Sequence, residues 1–131
     1  MPLVRIDLAR GKPVQYRKAL GDILYRAMTE VINVPQDDKF QIITEHAPEE
    51  LNVTPGYLGI RYSPDVVLIQ VTLSLGRTVE QKQAFYKRVA TDLQRELKLD
   101  PQDVFINLVE VAKENWSFGN GIAQYVTPPG K

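Results

Sequence analysis

Leu8-Ala9-Arg10-Gly11-Lys12-Pro13 returns 65 residues further along as Leu73-Ser74-Leu75-Gly76-Arg77-Thr78. Each copy closes an apolar run, turns on a glycine and opens a long amphipathic stretch. A second pair of segments keeps nearly the same spacing: Pro35-Gln36-Asp37-Asp38 lies 66 residues before Pro101-Gln102-Asp103-Val104. Common turn chemistry alone also produces matches this short, so the repeat rests on the elements between them. Those elements read the same way twice: strand, turn, long helix, short helical turn, strand.

In the first unit, about 1–45, Val4, Ile6 and Leu8 alternate with Arg5 and Asp7, the period of a half-buried strand. From about Gln15 to Ile32 the apolar positions Leu20, Ile23, Leu24, Ala27, Met28, Val31 and Ile32 draw one stripe on an α-helix. Asn33 and Pro35 end it, and a strand follows over Phe40–Thr44. In the second unit, about 66–110, Val66–Leu73 is apolar almost throughout, which predicts a strand buried on both faces. Thr78-Val79-Glu80-Gln81 has the form of a capping box and opens a helix to about Leu97; Val104–Val109 is the last strand. His46–Pro64, rich in proline, is an irregular or hairpin segment, and the tail from Trp116 to Lys131 begins as a turn and ends loose. Strand–helix–strand crossovers are right-handed and leave their two strands parallel. The expectation is an α+β fold in one domain over residues 1–131: a four-stranded sheet with both long helices on one face, the other face covered by another subunit.

Composition removes several kinds of function. Sixteen Lys+Arg against sixteen Asp+Glu give no net charge, so the basic field of a nucleic-acid or anionic-membrane binder is missing. There is no cysteine, which excludes disulfides, thiol nucleophiles and thiolate metal sites, and the single histidine, His46, cannot build a multi-histidine site. No apolar run approaches the length of a membrane span, and the first residues lack the apolar block of a signal peptide. A soluble, cytoplasmic protein without metal or cofactor is expected.

The residues Pro2-Leu3, Val34-Pro35 with Asp38, Gln41 followed by Thr44-Glu45-His46, Gln70, Gly76-Arg77-Thr78 with Glu80-Gln81-Lys82, Phe85-Tyr86, and Trp116-Ser117-Phe118-Gly119 with Ala123-Gln124-Tyr125 span nearly the whole chain. Together with the duplicated unit they resemble the tautomerase superfamily, and within it the malonate semialdehyde decarboxylase branch. The resemblance implies a tautomerase fold, a homotrimer with its sheets facing inward, and a cofactor-free enzyme acting on a small oxo acid. It also implies that Pro2, exposed by loss of Met1, is the catalytic group. A free prolyl nitrogen is an α-amine with an ordinary pKa of roughly 8, and apolar surroundings lower it towards a general base.

By the same resemblance Arg77 binds the substrate carboxylate, Asp38 assists at the proline, and Trp116, Phe118 and Tyr125 wall the site. Where the decarboxylase pattern carries two arginines two positions apart, this chain has Leu75 and Arg77. One cation fewer argues against decarboxylation proper and for a larger or aromatic oxo acid. Arg10, which lies over Leu75 in the repeat, is a candidate for the missing charge. By residue type alone, Pro2 also fits a strand edge, Arg77 a surface arginine, Asp38 or its neighbour Asp37 a turn cap, and the aromatics a plain core. Two other readings stay open: a malonate semialdehyde-type decarboxylase, and a non-catalytic oligomeric module on the same fold.

Overall fold

The computed structural model describes residues 2–126; Met1, whose removal the proline reading requires, and the end of the tail expected to be loose lie outside the described residues. The chain runs β1 (Leu3–Ala9), α1 (Val14–Val31), β2 (Gln41–His46), β3 (Gly56–Tyr57), β4 (Ile60–Arg61), β5 (Val67–Ser74), α2 (Val79–Leu97) and β6 (Val104–Val111). The sheet order is β2-β1-β5-β6. β1 is parallel to β2, β5 is parallel to β6, and the central pair β1–β5 is antiparallel. Both expected crossover units are therefore present and meet along their first strands.

The helical stripes form the core. Leu20, Ile23, Leu24, Ala27 and Met28 of α1 and Phe85, Val89 and Leu93 of α2 pack on Val4, Ile6 and Leu8 and on Val67, Ile69, Val71 and Leu73. The repeated glycines do the same work in each unit: Gly11 and Gly76 sit at φ +119° and +133°, where a side chain is strained. The capping box forms as read, with Gln81 N–H donating to Thr78 Oγ1 at 3.1 Å and Thr78 N–H to Gln81 Oε1 at 2.9 Å.

One expectation needs correction. Pro35–Asp38 is a single hydrogen-bonded turn, closed by Asp38 N–H on the Pro35 carbonyl at 3.1 Å, and not a helical one. Its counterpart Pro101–Asp103 is a 3-10 helix because Asp100 precedes it and accepts from Gln102 N–H; the first copy has Val34 there and no such cap. Within the single chain, β5 is covered on one face, and the other is the face expected to meet another subunit. Val67, Ile69, Val71 and Leu73 are buried under the helices, but Gln70 is exposed on the other face, beside Phe105 at 45% and Val109 at 37% on β6. The segment 47–64 holds a 3-10 turn at Pro48–Glu50 and a short hairpin, β3–β4, and its end is tied down by Asp103, whose carboxylate accepts from Ser63 N–H and Oγ–H.

The two helices are joined by ion pairs: Arg26 to Glu96 and Arg88 to Glu30, both at 2.6 Å. Asp92, 1% exposed, accepts from Arg88 Nε at 2.7 Å and pairs with Arg95 Nη2 at 2.9 Å. In Asp92→Ala both guanidiniums can still reach water, so the cost is that of the lost charge-assisted bonds alone, about 2 kcal/mol. Urea unfolding followed by circular dichroism checks it; an unchanged midpoint would show that Asp92 adds nothing net.

Candidate active site

Four strand ends meet at one end of the sheet. Val4 N–H donates to the Phe40 carbonyl at 2.9 Å, and Leu3 pairs with Thr72. Continuing both registers sets Pro2, which is buried, between the entry to β2 and the exit of β5. The entry to β2 carries Asp38 and Phe40. The exit of β5 carries Ser74, Leu75 and Arg77, and the parallel partner β6 ends beside it and leads to Trp116.

Arg77 is half-buried and held by two backbone carbonyls. Its Nε donates to Ile32, the last residue of the first helical stripe, at 3.1 Å, and its Nη1 to Ser74 at 3.3 Å. Neither bond uses Nη2. The guanidinium borders a recess of about 250 Å³ shared with Ile32, Asn33, Gly76 and Gln81, at the N-terminus of α2. A carboxylate there would meet both a fixed cation and the positive end of a helix. Leu75 is 61% exposed beside it, so the position that could add a second charge offers apolar surface instead.

The aromatic residues form one stack. Trp116 lies parallel to Phe118, 5.5 Å between centroids with an 8° interplanar angle. Tyr125 meets Phe118 edge-on at 5.2 Å, and Phe40 lies 5.9 Å from it. Phe40, Phe118 and Tyr125 line a cavity of about 280 Å³ with Pro35, Asp37 and Asp38. Burial raises the Tyr125 phenol above the ordinary tyrosine pKa. The tail that carries these rings is held by Gln124, which donates to the Gly119 carbonyl and accepts from Phe118 N–H, both at 2.9 Å.

Seven of the residues singled out in the sequence thus lie at this end: Pro2, Asp38, Leu75, Arg77, Trp116, Phe118 and Tyr125. Phe40 was not among them; read as the first residue of a strand, it gave no sign that its ring joins the stack. Arg10 is elsewhere. Its N–H donates to the His46 carbonyl at 2.8 Å at the far end of β1, about 26 Å along the strand from Pro2, so within one chain it cannot complement Arg77. His46 is at that far end too, with Nε2 2.6 Å from Asp7 Oδ1. Among the described residues no cluster of metal-ligating side chains occurs, and no helix is long and apolar enough to cross a membrane.

Comparison with known proteins places this arrangement. A family model described as a tautomerase enzyme matches residues 38–119, and a second model of the same description matches residues 2–61. The probable tautomerase YusQ of Bacillus subtilis (strain 168) is 39% identical over 126 residues, 96% of this chain and 99% of that one. The crystal structure of malonate semialdehyde decarboxylase, described with decarboxylase and hydratase activities, superposes with a TM-score of 0.87 at 37% identity, covering 95% of this chain and 96% of that one. A fused 4-OT solved as a symmetric trimer superposes with a TM-score of 0.76 at 26% identity, over 92% and 94% of the two chains. By its fold, its matching family models and the length over which its relatives align, the chain belongs to the tautomerase superfamily, on the branch that resembles malonate semialdehyde decarboxylase.

Proposed function

We propose that the chain, once Met1 is removed, is a cofactor-free enzyme in which the Pro2 ring nitrogen moves a proton next to the carbonyl of a small oxo acid. The observation that carries this reading is the convergence of a buried Pro2, a braced Arg77, Asp38 and an aromatic stack at one sheet end. Arg77 pairs with the substrate carboxylate and aligns the carbon to be deprotonated. The neutral prolyl nitrogen takes the proton from that carbon, and the C–H electrons pass towards the carbonyl oxygen, giving an enolate and a prolinium; delivered to that oxygen the proton gives the enol, and returned to carbon it gives the ketone. Asp38 stabilises the prolinium formed on the way, and the stacked rings keep water from the nitrogen. One guanidinium and an exposed Leu75 favour an oxo acid with a single carboxylate and an apolar or aromatic body.

A second reading, decarboxylation or hydration, is favoured by the 37% identity to malonate semialdehyde decarboxylase. It needs the opposite protonation state: a prolinium polarises the carbonyl of a 3-oxo acid, and the electrons of the breaking C–CO₂⁻ bond move towards it. The open sheet face, with Phe105 and Val109 exposed, supports assembly as a homotrimer, as in the fused 4-OT neighbour.

Native mass spectrometry combined with a substrate screen tests the proposal. The expected species is three chains, each lacking Met1. The expected activity is ketonisation of enol phenylpyruvate and of small 2-oxo acids above the buffer rate. Retention of Met1 on protein from its native host, or rates equal to buffer for every oxo acid, would leave the non-catalytic module as the better reading.

A further inference from the structure

We propose that Ser74 is a positioning residue that ties the aromatic wall to the carboxylate anchor, an assignment that rests on the function proposed above. Ser74 is the last residue of β5 and only 7% exposed. Its Oγ accepts the hydrogen bond of Trp116 Nε1 at 3.0 Å, and its main-chain carbonyl accepts from Arg77 Nη1 at 3.3 Å. The residue is itself fixed: it pairs with Val111, and the next N–H, of Leu75, donates to the Val111 carbonyl at 3.0 Å. A single anchored position therefore holds the indole and, together with the Ile32 carbonyl, the guanidinium.

The hydroxyl matters because an indole N–H can only donate. Without an acceptor, the half-buried ring either keeps an unpaired donor or turns to find water. Trp116 lies flat on Phe118, and Phe118 touches Tyr125 and Phe40, so a turn of the indole reaches the cavity that holds Asp38. The internal repeat supplies the control. The counterpart of Ser74 in the first unit is Ala9, and β1 ends there with the same glycine turn following. The strand end and turn do not need the hydroxyl; the second unit, where the aromatic stack lies, has it.

Trp116 is the only tryptophan in the chain, so its emission reports this contact alone. In Ser74→Ala, which copies the Ala9 arrangement, the emission shifts to the red and acrylamide quenching rises, while the thermal midpoint stays within a few degrees. With a 2-oxo acid substrate, kcat falls about tenfold while KM changes less than about threefold, because the main-chain bond to Arg77 remains. Ser74→Thr restores the hydroxyl and both readouts. In a Trp116→Phe background, Ser74→Ala costs nothing further in kcat, since the partner through which it acts is gone. An unchanged emission in Ser74→Ala, or kcat losses that simply add in the double variant, would overturn the assignment. If the wild type proves inactive on oxo acids, the catalytic premise falls, and the emission and its recovery in Ser74→Thr alone decide whether Ser74 holds Trp116.

Discussion

Pro2→Ala lowers kcat for ketonisation by about 10² or more, within the range that a positioned general base contributes. The variant still loses its methionine and still ends in an amine, so the loss measures the ring: a secondary nitrogen held rigidly at the strand start against a primary one free to turn. Blocking the nitrogen, by a retained Met1 or by acetylation, is the harsher change, because an amide nitrogen accepts no proton; the rate then falls to what binding alone supplies. The expected order is therefore wild type, then Pro2→Ala, then blocked chain. The pH profile separates the two chemistries. A neutral nitrogen acting as base gives a rate that rises with pH as the amine loses its proton and then levels off. A prolinium that polarises a carbonyl gives a rate that falls over the same interval. Steady-state rates for the three species across pH settle it; equal kcat in wild type and Pro2→Ala would remove Pro2 from the chemistry.

The duplicated unit made most of the fold legible, because its period-2 and period-3.6 stripes are local properties and the core they form is the one observed. What the repeat could not convey was direction. β1 and β5 are antiparallel, so residues equivalent by repeat lie at opposite ends of the sheet. That is why Arg10, the counterpart of Leu75, stands beside His46 and far from Arg77. Resemblance to a known family picked out the residues of the site, and the strand registers explain why such distant segments meet: the starts of β1 and β2 and the ends of β5 and β6 lie at one end. The contacts that shape the site were not readable. The bonds of Arg77 to Ile32 and Ser74, and of Trp116 to Ser74, join positions whose types permit many partners. Phe40 was hidden for a related reason, since a phenylalanine at the start of a strand needs no further explanation.

Arg77→Ala is expected to raise KM for a 2-oxo acid about 10- to 100-fold, the equivalent of the 1.5–3 kcal/mol that a hydrogen bond to a charged group contributes. The effect should fall on KM more than on kcat if the guanidinium holds the carboxylate equally in ground and transition states. Because Arg77 also bonds the Ile32 and Ser74 carbonyls, the alanine variant loosens the junction between α1 and β5 as well. Arg77→Lys helps to divide the two effects: it keeps the charge but not the fork, so KM rises less while the backbone contacts are still disturbed. Raising ionic strength should weaken wild-type binding and leave Arg77→Ala nearly unaffected, since only the former depends on an exposed charge pair. The neighbouring position carries the comparison further. Leu75, 61% exposed, stands where a second guanidinium would complete a pair two residues apart. Leu75→Arg is then expected to tighten binding of a short 3-oxo acid and to weaken binding of phenylpyruvate, whose ring loses apolar surface to a hydrated cation. A fall in KM for both substrates would mean that the pocket selects for charge alone. No change in KM for either on Arg77→Ala would mean that the carboxylate binds elsewhere, and the catalytic reading of this sheet end would have to be rebuilt around another cation.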